Sequence, residues 1–187
     1  LALVQFRLAS PRILGALLEA FSGIWPSGQV FEGVPVGDAW PHPAAGGEGP
    51  SAGWVPFHKL SQWLSYSLLE PFEWAGVQVG GLDALTGLPE YRNGGLLIDA
   101  GVIVPRDAAF AARPRLPSEP WVIEWRALTV TLLDELAPRV REALGAPALP
   151  LACILEGGSW AAGRQIAAER RPGGAPPVAI ESDGTVF

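Results

Sequence analysis

The residues best equipped for chemistry in this chain fall into a few short blocks. Glu90, Tyr91, Arg92 and Asn93 stand between Pro89 and the pair Gly94-Gly95, within LTGLPEYRNGGLLIDAGVI, residues 85–103. Proline and paired glycines turn and stiffen the backbone, so a carboxylate and a guanidinium are presented together. Such a corner is either structural or a place where an acid acts on a bound molecule. Lys59, Gln62 and Tyr66 recur on one helical face. They suit a phosphate, an amide or hydroxyl, and a ring or phosphate respectively, although a plain solvated face is the preferred reading of the spacing. Glu124 and Arg126 lie in WVIEWRA beside Trp121, Trp125 and Leu128. Charges among such neighbours are costly to bury unless paired. Glu124 is therefore either tied to an arginine or a backbone turn, or it is a pocket acid with a raised pKa or a residue that orients substrate hydroxyls. Asp83 and Asp99 flank the Glu90 corner.

Other chemistries find little footing. His42, His58 and Cys153 have no zinc-ligand spacing, and no carboxylate motif for magnesium is present, so neither a metal nor another cofactor is expected. There is no G-x-S-x-G nucleophile elbow. GSWAAGR, residues 158–164, echoes a phosphate loop but has Arg164 and Gln165 where that loop needs Lys and Ser or Thr. The Gly-Gly-Ser turn ahead of it fits an ordinary capped helix start better than an anion site. Cys153, with Leu151, Ala152, Ile154 and Leu155 around it, reads as a buried inert thiol. A lone cysteine fits a reducing, cytoplasmic setting.

The elements that must carry these groups are mainly helical. Residues 13–21 form a short helix capped by Ser10-Pro11, and residues 25–52 an irregular Pro/Gly loop with one short strand near 29–34. Residues 57–69 make a helix with Phe57, Leu60, Leu64 and Leu68 inward, ended by Pro71. Residues 83–88 give a further helical turn, while 96–104 fit a helix or a strand. A Pro-rich linker, 108–120, leads to the strongest helix, 121–144. Its stripe is Trp121, Trp125, Leu128, Leu132, Leu136, Val140 and Leu144, kinked at Pro138 and stopped by Gly145. After an apolar segment at 150–155, Ser159 caps a helix over 160–171. Asp183-Gly184 signals a short C-terminal β-hairpin.

The chain of 187 residues suffices for one domain, 1–187, with 49% hydrophobic and 17% charged residues and a net charge of −6. That charge disfavours nucleic acid as a partner. No apolar run approaches the ~18 residues of a membrane span. The absence of methionine suggests a processed chain or the C-terminal portion of a longer protein. Its partners would then be its own N-terminal portion or a second copy.

GWVPFHKLSQWLSYSLLEP, LTGLPEYRNGGLLIDAGVI, WVIEWRALTV, LEGGSWAAGRQIA and SDGTVF together resemble the uracil-catabolism protein family of fungi and bacteria, over residues 53–187. The resemblance implies a pathway in which uracil becomes its ribonucleotide, the ring opens, and a ribosylurea-type intermediate is degraded. FHKLSQ, LTGLPEYR and IEWRA are also similar, more distantly, to blocks of the queuosine-nucleotide salvage N-glycosylases. Those helical proteins are related to helix-hairpin-helix DNA glycosylases, and LTGLPEYRNG has the leucine, glycine and proline of such a hairpin. That likeness implies a mainly α, multi-helical fold and cleavage of an N-glycosidic bond in a small-molecule ribonucleotide. Glu90 would be the catalytic carboxylate, standing where those enzymes have Asp, with Glu124 as the second acid. Lys59, Gln62, Tyr91, Arg92, Asp83 and Arg126 would bind substrate. The alternative is a non-catalytic partner of the ring-opening enzyme.

Overall fold

The computed structural model describes residues 6–186. β1 (Phe6–Ala9) runs into α1 (Ser10–Phe21), whose Pro11 sits in the first turn, where its missing N–H costs nothing. The region expected as an irregular loop is more ordered than its composition suggests. β2 (Gln29–Phe31) and β3 (Val34–Gly37) pair antiparallel around Glu32-Gly33, both at positive φ. The single strand expected at 29–34 is therefore two strands and a tight turn, which a Glu-Gly pair permits. β4 (Ala39–Pro41) pairs antiparallel with β5 (Trp54–Pro56) across the Pro/Gly tract.

α2 (Lys59–Ser67) starts from His58, held at φ 48° in the left-handed region. Its inner face is polar: Lys59, Ser61, Gln62 and Ser65 are buried, while Leu60, Leu64 and Leu68 are only partly so. Apolar spacing selected the wrong face here. Pro71 does not end a helix either, because α3 (Leu69–Trp74) begins just before it and accepts proline in its first turn. β6 (Val77–Gly80) then pairs parallel with β1. The helical turn expected at 83–88 is confined to Leu82–Ala84, and the chain is non-helical from Leu85 to Glu90.

α4 (Tyr91–Asp99) resolves both ambiguities around the polar corner. Glu90 is its N-cap, so Tyr91, Arg92 and Asn93 form a helical first turn, and residues 96–99 are helix rather than strand. α5 (Pro120–Ala143) runs without interruption through Pro138. Its buried line is Val122, Ile123, Trp125, Arg126, Thr129, Leu133 and Ala137, whereas Trp121, Leu128 and Leu144 remain exposed. The expected stripe is therefore rotated. Two polar residues take inward positions because Arg126 is paired and the Thr129 hydroxyl returns to the Trp125 carbonyl at 2.8 Å.

α6 (Leu151–Ile154) continues through a wider, π-type turn over Leu155–Trp160 into α7 (Ala161–Arg170). Ser159 is thus inside a continuous helix and not its cap, and Cys153 is exposed rather than buried. The C-terminal hairpin does not form among the described residues. Ile180 instead bridges Arg115, Asp183 receives the Thr185 N–H at 2.8 Å, and Val186 is fully buried; Phe187 lies outside the described residues. The architecture is mainly α, with three two-stranded sheets among the described residues. Core side chains gather along α5: Leu88 and Leu133 with α6 on one side, Trp40, Phe57, Ile123 and Val186 on another. No helix among the described residues is long and apolar enough to cross a membrane.

Candidate functional site

The centre of the arrangement is a buried ion pair. Arg126 is fully buried and meets Asp38 through two bonds of 2.7 Å. It also donates to the carbonyls of Pro89 at 3.2 Å and Val186 at 2.6 Å, and its guanidinium lies 4.1 Å from the centre of the Phe57 ring. Asp38 accepts further from Trp40 Nε1 at 2.7 Å and from the Lys59 backbone N–H at 3.0 Å. Hydrogen-bonding most of their donors and acceptors in this way is what makes a buried pair tolerable. One pair thereby ties together the β4 strand, the start of α2, the residue before Glu90 and the C-terminal segment.

From that anchor the segment before α4 is gripped carbonyl by carbonyl. Tyr66 Oη donates to the Thr86 carbonyl at 3.0 Å, and Gln62 Oε1 accepts the Thr86 N–H at 3.3 Å. Asn93 Nδ2 donates to the Leu88 carbonyl at 3.0 Å, while its Oδ1 accepts from Ser159 Oγ at 2.8 Å. Burial pushes the Tyr66 phenol up, further raised by Asp134 and Asp83. Glu90 follows with its carboxylate fixed in place. Its oxygens accept the N–H groups of Arg92 at 2.8 Å and Asn93 at 2.6 Å, two of the orphan donors in the first turn of α4. The glycines of the motif allow close packing. A Cβ on Gly94 would stand 2.8 Å from the Trp125 ring, and one on Gly163 of α7 would strike the Arg92 carbonyl.

These contacts frame a cavity of about 330 Å³. Trp63, Tyr91 and Trp160 give it aromatic walls, with Trp63 and Trp160 edge to face at 5.5 Å. Lys59 and Glu90 are its charged residues. Lys59 is the single lysine of the chain and is 8% exposed. Among the described residues its ammonium has no carboxylate within 4.0 Å, so Lys59 and Glu90 line the cavity unpaired, within electrostatic reach of each other. Burial lowers the Lys59 pKa to about 8, with Arg126 pushing the same way and Asp38, Glu90 and Asp183 opposing. Burial raises Glu90 above the usual carboxylate range, against the pull of the Arg92 and Asn93 N–H groups, Lys59 and Arg92. Burial also lowers His58, next to Lys59.

Of the residues singled out in the sequence, Lys59, Glu90 and Tyr91 line this cavity together. Arg92 lies beside it, its guanidinium 4.8 Å from the centre of the Tyr91 ring. Gln62 stands behind the wall, occupied by Thr86. Arg126 is sealed below, with its donors spent on Asp38, Pro89 and Val186. Asp83 and Glu124 are elsewhere. The Asp83 side chain is 97% exposed, 4.0 Å from Arg141. The Glu124 side chain is 61% exposed; its Oε1 lies 3.4 Å from His42 Nε2, without hydrogen-bond geometry. It lines a different cleft of about 570 Å³ with Ile98, Val104, Trp121 and Leu128. Sequence reasoning missed Asp38, Trp63 and Trp160. Asp38 sat in a tract dismissed as irregular, whereas the two tryptophans on helices beside Lys59 and Ser159 were readable as aromatic walls. Among the described residues no cluster of His, Cys, Asp and Glu could hold a metal ion.

Residues 4–187 match the family described as "Protein of unknown function (DUF1688)". "Uracil catabolism protein 4" of Lachancea kluyveri is 42% identical over 198 residues, covering 94% of this chain and 45% of that protein. "Protein urg3" of Schizosaccharomyces pombe is 47% identical over 169 residues, covering 88% of this chain and 41% of that protein. The chain thus spans less than half the length of these relatives. No solved structure matches it.

Proposed function

The chain belongs to the DUF1688 family, and from that premise we propose that it acts in uracil catabolism as an N-ribosyl hydrolase. Its substrate would be a ring-opened uridine nucleotide, a ribosylurea phosphate. The observation that carries this reading is Glu90, a carboxylate fixed by two backbone N–H groups in the wall of an aromatic cavity of about 330 Å³. Cleavage of an N-glycosidic bond builds positive charge at the anomeric carbon, and a preorganised carboxylate stabilises it. Burial raises the Glu90 pKa, which favours its taking a proton from the attacking water. The C1′–N bond breaks, the C1′–O bond forms, and the leaving urea nitrogen takes up a proton, so one water is consumed. Trp63, Tyr91 and Trp160 would enclose the flat urea and the sugar, and Arg92 beside the rim would meet the 5′-phosphate. In the same reading, residues 86–99 stand for the hairpin of a helix-hairpin-helix glycosylase-like fold.

The rival reading is a non-catalytic partner of the ring-opening enzyme. One observation favours it: both Glu90 oxygens are engaged as a helix cap. Incubating the purified protein with ribosylurea 5-phosphate and measuring free urea separates the two. Hydrolysis predicts urea release, reduced about 10²–10³-fold in Glu90→Gln. No release from wild type, with the ring-opening enzyme retained on the protein, would establish the partner reading instead.

A further inference from the structure

Lys59 has more to offer than a positive charge. It is the chain's single lysine, and it lines the aromatic cavity rather than the outer surface. Its backbone is fixed by the Asp38 carboxylate at 3.0 Å, and the His58 residue before it holds a left-handed turn, so the root of the side chain is rigid. No carboxylate among the described residues lies within 4.0 Å of the ammonium, and the nitrogen is not one of the buried polar atoms left without a partner. Glu90 faces it from the same cavity, close enough to interact with it electrostatically. An amine and a carboxylate that line one cavity of about 330 Å³ without closing into a salt bridge can both meet a molecule bound there. Apolar walls disfavour the ammonium, and the lowered pKa keeps a fraction of free amine near neutral pH.

We propose that Lys59 is a carbonyl-trapping amine, forming an imine with the open-chain aldehyde of a small sugar phosphate held against Glu90. The step balances simply. The free amine of Lys59 adds to the aldehyde carbon and gives a carbinolamine. The Glu90 carboxylate relays the protons of the adding nitrogen to the carbinolamine oxygen, which departs as water, and the C=N bond remains. No oxidant or metal is required. The step rests on the hydrolase reading for the identity of the aldehyde, ribose 5-phosphate, but the chemistry at Lys59 is tested without any hydrolysis.

The experiment is reductive trapping. The 187-residue chain is incubated at pH 7.5 with ribose 5-phosphate and cyanoborohydride, then digested and mapped by mass. The only other primary amine is the α-amino group, which serves as an internal reference for unassisted reaction. The expected result is modification of Lys59 at least about tenfold faster than the α-amino group. Glu90→Gln should slow labelling at Lys59 about tenfold and leave the α-amino rate unchanged. Equal rates at both amines, labelling of Lys59 confined to urea-unfolded protein, or an unaltered rate in Glu90→Gln would each overturn the proposal. Urea release with no trapping at Lys59 would sink this inference alone. Trapping without urea release would keep the imine chemistry and sink the hydrolase reading.

Discussion

Two acid–base pairs lie a few residues apart in this molecule and behave oppositely. Arg126 and Asp38 are closed: two bonds of 2.7 Å join them, and Pro89, Val186, Trp40 and Lys59 occupy their remaining valences. Lys59 and Glu90 are open, sharing a cavity wall with no bond between them. The difference teaches where charge is structural and where it is available. A buried pair bonded on this many sides has little to offer a ligand, whereas burial keeps each member of the open pair shifted toward its neutral form.

The largest test of that contrast is Asp38→Ala. It strands Arg126 in the core and should cost about 3–5 kcal/mol of unfolding free energy by urea titration. Replacing both partners by apolar residues, as Asp38→Leu with Arg126→Met, should recover a substantial part of the loss. A single-variant loss below about 1 kcal/mol would show that the closed pair is not the anchor described above.

Lys59→Met probes the open pair through pH. The folded pKa of about 8 lies below the ordinary 10.5. Between those values the unfolded chain binds more protons, so stability must rise as pH climbs from about 8 to about 10.5. The rise is at most roughly 3.5 kcal/mol, since one pKa unit is about 1.4 kcal/mol. It should be present in wild type and missing from Lys59→Met in denaturation midpoints taken across that window. Glu90 works in the opposite sense at acid pH. Its raised folded pKa gives stability that is fully present below the ordinary carboxylate range and lost as pH rises through the folded value.

Gly163→Ala sharpens the comparison from the backbone side. The added methyl meets the Arg92 carbonyl, so α7 must back away from α4 by a small distance. We expect about 1–3 kcal/mol of destabilisation. A larger proportional loss should appear in urea release, because the first turn of α4 carries the Glu90 cap. Equal, proportionate losses would mean that this packing does not position Glu90. The smallest effect belongs to Glu124→Gln. That side chain is 61% exposed and only loosely set against His42, and thermal unfolding should change by less than about 0.5 kcal/mol. Urea release should also be unaltered; a hundredfold drop would return Glu124 to the reacting centre.

The sequence by itself determined the helical class and the long α5 segment, because 24 residues with few breakers and a proline at the first turn leave little choice. It also marked Lys59, Glu90 and Tyr91 as candidates, each inside a polar motif, but that these three line one cavity is a product of the tertiary fold. Tertiary structure decided what pattern cannot express. Which face of α2 is buried depended on Thr86, 20 residues past Tyr66, offering a carbonyl for Tyr66 and an N–H for Gln62. Whether Arg126 was a ligand or an anchor depended on Asp38, 88 residues earlier in an unremarkable Pro/Gly tract. Apolar periodicity reports the average cost of burying a side chain, and a polar residue escapes that average once a distant partner satisfies it. The same distance effect separated Glu90 from Glu124. Both stood beside aromatic residues in the sequence, but one was drawn onto a helix end inside a cavity and the other left facing water.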